Sequence, residues 1–268
     1  MLELQKEEFF PKAHAFTGAF ADDPAYPLSV LTGRQTGRVF VDRAEAPAAA
    51  LVWHCCGFAY LAGTPDAAMH SAVADLIACR YAPDQPRFLL HVYDEAEAAA
   101  WRALPDTETW IQYLYDMDAA ALRRHYASVP DGFLLCEASQ AEIQAFPARI
   151  APAFSWTATD DFLHDGKAFC LLCAGSGEVA AMAFTAAIGG GTVDIGITTD
   201  ERFRGQGLGR IVASRTSAYA FDCGLRPVWR CAAGNPASAR VAESVGFHKV
   251  SEHAVCMKRR APAPTATH

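Results

Sequence analysis

Apolar and polar positions along this chain alternate between two periods, and each change of period marks an element. The runs Gly37-Arg-Val-Phe-Val41, Ala49-Ala-Leu-Val-Trp53 and Gly57-Phe-Ala-Tyr-Leu61 are short, rich in β-branched and aromatic side chains, and predict strands. From Asp66 to Tyr81 the apolar positions Met69, Val73, Leu76 and Ile77 fall at helical spacing. Phe88 to Tyr93 predicts a strand, Asp94 to Leu104 a helix rich in Ala and Glu, and Trp110 to Tyr115 a further strand.

The second half runs through a similar series. Phe133 to Cys136 predicts a short strand, and a helical stretch interrupted by Pro147 and Pro152 extends from about Ser139 to Phe154. Phe169 to Cys173 and Val179 to Phe184 flank the turn Ala-Gly-Ser-Gly-Glu, a hairpin signature. A strand follows from Thr192 to Thr198, then a glycine-rich loop, a helix to about Cys223, the strand Pro227 to Cys231, a helix from Pro236 to Val245, and a last strand within Val250 to Met257. The order strand-strand-strand-helix-strand-helix-strand thus occurs twice, although the residues barely align. It fits a degenerate duplication, and equally the ordinary recurrence of short α/β units. Pro130-Asp-Gly132 marks a boundary, which divides the chain into a smaller α/β unit at 1–128 and a second unit at 129–258, with a disordered tail at 259–268 expected from its Pro, Ala and Thr content.

A length of 268 residues is comfortable for two domains, and an apolar fraction of 51% with 20% charged residues is that of an ordinary globular protein. The formal net charge of −7 and scattered Lys and Arg give nucleic-acid binding no support. An acidic surface either favours an amine-bearing substrate or serves solubility alone. No stretch approaches the roughly 20 apolar residues that span a bilayer, and the first residues are acidic rather than basic and then apolar. No membrane association and a cytoplasmic location are therefore expected. The nine cysteines are then expected to be reduced core residues. Cys170-Leu-Leu-Cys173 has the spacing of half a zinc knuckle, but in a strand residues three apart face opposite ways and no second ligand pair follows, so no metal is expected.

The informative segment is Asp194-Ile-Gly-Ile-Thr-Thr-Asp-Glu-Arg-Phe-Arg-Gly-Gln-Gly-Leu-Gly-Arg210, a strand leading through a glycine loop directly into a helix. N–H groups at a helix start lack intrahelical partners, and glycines allow an anion to come close to the backbone, so a phosphate or diphosphate is the natural guest. A P-loop requires Gly-Lys-Ser/Thr, where this chain has Gly209-Arg210-Ile211; a dinucleotide fingerprint requires Gly-x-Gly-x-x-Gly, where Gly205-x-Gly207-x-Gly209 has the wrong last interval. What remains, Arg204-x-x-Gly207-x-Gly209, resembles the diphosphate-arm signature of the GNAT superfamily of N-acetyltransferases. The surroundings extend the likeness: Ile195 to Thr199 before the loop, Val228 to Cys231 after its helix, then Asn235-Pro-Ala-Ser238 and Ser244-Val-Gly-Phe247. The resemblance covers about Phe133 to Lys258, and the first half carries no comparable loop.

The resemblance implies an α/β (α+β) fold with a mixed, mostly antiparallel twisted sheet flanked by helices. It implies acetyl-CoA as cosubstrate and a small-molecule or peptide amine as acceptor. Ile197, Thr198 and Thr199 would bond the pantetheine amides through the main chain, and Arg204, Gly205, Gln206, Gly207, Leu208 and Gly209 would hold the diphosphate. Asn235 and Ser238 would contact the cofactor arm, Asn235 alternatively being a plain helix cap. The amine would attack the thioester directly, with Asp194 or Glu137 as the candidate base. Many members place a tyrosine acid four residues before the Gly of the Gly-Phe pair; this chain has Ala242 there, leaving Ser238 and Cys231 as the nearest polar groups. That vacancy keeps a rival open, a CoA-binding sensor or pseudoenzyme whose first half binds a partner. Acceptor identity and oligomeric state are not legible.

Overall fold

Among the described residues, twelve strands form one sheet. They are β1 (Leu2–Glu3), β2 (Gly37–Val41), β3 (Ala49–His54), β4 (Phe58–Gly63), β5 (Leu89–Val92), β6 (Thr107–Asp116), β7 (Phe133–Glu137), β8 (Ala168–Cys173), β9 (Val179–Gly189), β10 (Thr192–Thr199), β11 (Arg226–Ala232) and β12 (His248–Lys258). The helices are α1 (Phe9–Ala13), α2 (Ala25–Leu31), α3 (Ala67–Ala78), α4 (Glu95–Arg102), α5 (Gln140–Ala145), α6 (Thr159–Asp165), α7 (Leu208–Asp222) and α8 (Pro236–Val245). This computed structural model describes residues 1–78, 87–146 and 150–258. The last residues of the helix expected to reach Tyr81, the break at Pro147 and the tail at 259–268 lie outside the described residues.

The strand order β1-β2-β3-β4-β5-β12-β6-β11-β10-β9-β8-β7 reads as a mirror about its centre. Each half contributes an antiparallel series closed by one parallel pair, β4 with β5 and β10 with β11. Each half then gives its last strand to the other: β12 pairs with β5, β6 pairs with β11, and β6 and β12 pair antiparallel with each other along the middle. The duplicated order of elements is therefore a duplicated topology, and the sheet passes unbroken from one half to the other.

Period-2 alternation decides which core each strand serves. Val39, Val41, Ala50 and Val52, on one face of β2 and β3, join the main core with Phe184, Ile195 and Trp229 of the second half. Phe40, Leu51 and Trp53, on the other face, form a separate cluster with Met69 and Val73 of α3 and Trp101 of α4. β9 is buried along its whole length, and its alanines at 180, 181, 183, 186 and 187 let helices approach closely from both faces. α7 covers one of them; α2, from the first half, packs against β9 and also against β3.

Several elements differ from the sequence expectations, β1 and α1 among them, for which none was drawn. The helix expected over 139–154 is confined to α5, with one 3₁₀ turn at Pro152–Phe154, and α6 appears where none was expected. α2 escapes detection because it is a seven-residue helix, buried nearly all round and so without an amphipathic stripe; its Pro27 falls in the first turn, where no backbone donor is lost. The strand expected at Val179–Phe184 runs on to Gly189.

The seat of α2 yields a test. A Cβ added at Gly189 would stand 2.5 Å from both Ala25 O and Ser29 N, backbone atoms that a rotamer change cannot move. Gly189→Ala is expected to lower stability by about 1–3 kcal/mol, as overpacking does. Gly175→Ala, where an added Cβ meets nothing within 4 Å, should stay within about 0.5 kcal/mol of wild type. Urea midpoints of the two variants decide it; equal midpoints would mean that α2 does not depend on this contact.

Candidate active site

Strands β10 and β11 keep parallel register over Thr192↔Arg226, Val193↔Pro227 and Asp194↔Val228, and pair no further. At the point of parting the register of β10 with β9 shifts: Asp194 faces Ala187 and Ile195 faces Thr185, so β9 carries Ala186 as one extra residue, a bulge. Beyond it, Ile195 to Thr199 pair with β9 alone, and Trp229 to Ala232 pair with β6 alone. One backbone edge of each strand faces the gap. The gap opens into a cleft of about 720 Å³ lined by Ile197, Thr198, Thr199 and Arg204, by the glycine loop, and by Asn235 and Ser238 at the start of α8.

The loop takes its shape from two left-handed residues, Gly205 at φ 79° and Gly207 at φ 77°, the second being the N-cap of α7. A side chain is strained at either position. Among the described residues the N–H groups of Gly205, Gln206, Gly207, Leu208 and Gly209 have no carbonyl partner. The positive end of a fifteen-residue helix thus meets a run of free donors. Gly209 is needed for a different reason: an added Cβ would stand 3.2 Å from Ile197 Cδ1 and Thr199 Oγ1, crowding α7 against β10.

The predicted cofactor residues therefore come together, with one exception. Gln206 lines a neighbouring pocket instead. Asn235 is the N-cap of α8, its Oδ1 accepting from Ser238 N at 3.2 Å, and it lines the cleft as well. Ser238 Oγ accepts from Trp229 Nε1 at 3.0 Å. Glu137 is not brought to the cleft: it lies on β7, the outermost strand, and its carboxylate takes Lys167 Nζ at 2.6 Å. Ala242 is fully buried.

Asp194, the last residue of β10 paired with β11, is buried and does not line the cleft; it sits inside a network that the sequence did not reveal. Its Oδ2 accepts from Tyr26 Oη at 2.9 Å, and its Oδ1 faces Arg230 Nε at 3.4 Å without the alignment of a hydrogen bond. Arg230 also pairs with Asp23, donates to Tyr60 Oη at 2.9 Å, and lies 4.6 Å above the Tyr26 ring. Tyr93 donates to Asp23, and His91 Nδ1 and His253 Nε2 are hydrogen-bonded at 2.8 Å. Asp23, His91 and His253 could offer ligand atoms within 4.8 Å of one another, but the Asp23 carboxylate already carries the guanidinium that supplies the positive charge a metal would bring. The one legible signal was a charge or histidine isolated in an apolar strand, as Arg230 in β11 and His91 in β5 are.

Burial sets the protonation of this network. It pushes the Asp194 carboxyl up to about 6, against the pull of Arg230. It lowers His54 to about 3 and His253 to about 4, and holds His91 well below the ordinary histidine value. All eight cysteines among the described residues are free, but Cys223 is exposed rather than in the core. Cys170 is buried with its sulfur 3.4 Å from that of Cys136 across the β7–β8 pair, a core contact. No helix among the described residues is long and apolar enough to cross a membrane.

The sequence profile of the family described as GNAT acetyltransferase matches residues 21–256. A curated protein of Bacillus subtilis (strain 168), the uncharacterized N-acetyltransferase YdfB, is 29% identical over 100 residues, which are 37% of this chain and 38% of that protein. The match thus spans well under half of that relative. A GCN5-related N-acetyltransferase-like protein from Streptococcus suis shares the fold with TM-score 0.72 at 18% identity, over 95% of this chain and 100% of that one. A tandem GNAT protein from the clavulanic acid biosynthesis pathway gives TM-score 0.63 at 11% identity over 98% and 99%. A GCN5-related N-acetyltransferase from Kribbella flavida gives 0.60 at 17% over 92% and 96%.

The buried network makes stability depend on pH with two opposed signs. The histidines are harder to protonate folded than unfolded, so stability falls as pH drops from about 6.5 toward 4. Asp194 holds its proton more tightly folded than unfolded, so it adds stability as pH drops from about 6 toward 4. Asp194→Asn removes the second slope alone. In urea titrations across that window the variant should lose up to about 1.4 kcal/mol per pH unit more than wild type; parallel curves would show that Asp194 does not titrate there.

Proposed function

As the chain belongs to the GNAT acetyltransferase family, we propose that it moves an acetyl group from acetyl-CoA to a primary amine by direct attack on the thioester. One observation carries this reading: beyond its last pairing with β11, the edge of β10 borders a cleft that also takes in Gly205, Gly207, Leu208 and Gly209, whose N–H groups have no protein partner among the described residues. Pantetheine completes the open edge of β10 through main-chain groups of Ile197, Thr198 and Thr199. Arg204 to Gly209 receive the diphosphate, and Asn235 and Ser238 border the arm.

In the reaction the amine nitrogen bonds to the acyl carbon, and a backbone N–H near Ile197 stabilises the oxyanion that develops. The C–S bond then breaks and the departing thiolate takes a proton from water, since a buried alanine stands where many relatives carry a tyrosine. Asp194, buried behind the cleft, receives the proton of the amine through water. Its depth in the fold, which raises its pKa to about 6, leaves it basic near neutral pH. Glu137, paired with Lys167 on an exposed edge, has no part in this scheme. The free thiols fit a reducing cytoplasm.

The buried Ala242 favours a second reading, a protein that binds coenzyme A without turnover. Turnover over an amine panel, read by release of free thiol, separates the two. Asp194→Asn should slow transfer by at least about 100-fold and remove the acidic limb of the pH-rate profile; an unchanged profile excludes Asp194 as base. Gly207→Glu sets a carboxylate and a strained left-handed residue where the diphosphate belongs. Calorimetry should show CoA affinity falling by roughly 100-fold or more, and retained affinity would overturn the loop as the cofactor site.

A further inference from the structure

The segment between β6 and β7 is bound to the two helices that border the cleft. Arg123 N donates to Val245 O at 2.8 Å, and its guanidinium reaches Glu243 O at 3.3 Å, at the C-terminal end of α8. His125 is fixed to Ser244 O at 2.8 Å through Nε2, and Tyr126 N donates to Ser214 Oγ of α7 at 3.3 Å. These contacts hold the connecting segment beside the glycine loop.

Between the segment and α7 lies a pocket of about 450 Å³ lined by Arg124, His125, Ser128, Pro130, Gln206, Arg210 and Ile211. No carboxylate lines it, although the protein carries 30 acidic residues against 23 Lys and Arg. Arg124 and Arg210, like Arg34, Arg87, Arg123, Arg215 and Arg240, have no carboxylate partner among the described residues, and they are the two arginines that line this pocket. The pocket adjoins the cleft: Arg210 lines both, and the residue that holds His125, Ser244, lines the cleft. Cations kept free of acids beside a diphosphate loop suit a second, more highly charged phosphate.

We propose that this pocket seats the phosphomonoester on the ribose of coenzyme A, gripped by Arg124 from the connecting segment and Arg210 from α7. The inference rests on the cleft being the cofactor site and deepens it. A phosphomonoester carries about −1.5 to −2 charge near neutral pH, more than either phosphate of the diphosphate, and so requires side-chain cations where the diphosphate is served by backbone N–H groups. Because Arg124 precedes β7 and follows β6, cofactor binding would tie the joint between the halves to α7.

The test compares coenzyme A with 3′-dephospho-coenzyme A by calorimetry. Wild type should bind the dephospho form about tenfold or more weakly, as the loss of a charge-assisted bond implies. Arg124→Gln should bring coenzyme A close to that weaker level and leave the affinity for the dephospho form unchanged, and Arg124→Lys should recover part of the loss. Equal wild-type affinity for the two ligands, or an Arg124→Gln variant that weakens both alike, overturns the proposal and leaves the cleft reading intact. Failure of wild type to bind either ligand overturns both.

Discussion

A strand can leave its neighbour inside a sheet only if each of the two keeps another partner, because backbone N–H and C=O groups without partners are costly once buried. β10 meets this condition through β9, which pairs with it from Gly189 to Ala181 on the far side of the gap. β11 meets it through β6, along Val228 to Ala232. The second of these partners belongs to the first half of the chain. The cleft of the second half therefore exists because the halves exchange their last strands, and the first half is a structural part of the site although no side chain of β6 lines it.

The same exchange explains why charge is buried at the joint. Arg230 rides on β11, Asp194 on β10, and Asp23, Tyr26 and Tyr60 come from the first half, so the network spans the join rather than either unit. Buried ion pairs add little net stability over apolar residues, but removing one partner strands the other in a low dielectric at considerable cost. Such a network therefore acts less as an adhesive than as a lock. Only the arrangement in which α2 lies against β9 and β11 lies against β6 satisfies Arg230, and any slip of the halves leaves a guanidinium buried alone.

Much of this was legible in the sequence, and the limit is physical. Strand positions such as Gly37–Val41 were readable because alternation depends on which residues face a core. The glycine loop was readable because left-handed turns at a helix start demand particular residues at fixed spacing. Alternation does not say which strand lies alongside, so β6 looks the same whether it closes its own half or inserts between β11 and β12. For the same reason Arg230 was visible as an isolated charge within an apolar strand, while its partners, some 170 and 207 residues away in sequence, were not. Glu137 lies away from the cleft, on the outermost strand, because the sequence order of strands does not say how far apart the sheet sets them.

The first half repeats the topology of the second without its glycine loop. β4 and β5 repeat the parallel pairing of β10 and β11 over Phe58↔Leu89, Ala59↔Leu90 and Tyr60↔His91. The helix after β4 nevertheless begins differently: Asp66 precedes α3, and its Oδ1 accepts from Met69 N at 2.7 Å. A carboxylate thus takes up the donor that a phosphate would need and repels any anion that approaches the helix start. Where the N–H groups of residues 205–209 have no partner among the described residues, one donor at the start of α3, Met69 N, is taken by an aspartate. What the first half supplies instead is the strand that holds β11, the helix that seats on β9 and the acid that neutralises Arg230, each reaching the second half across the join.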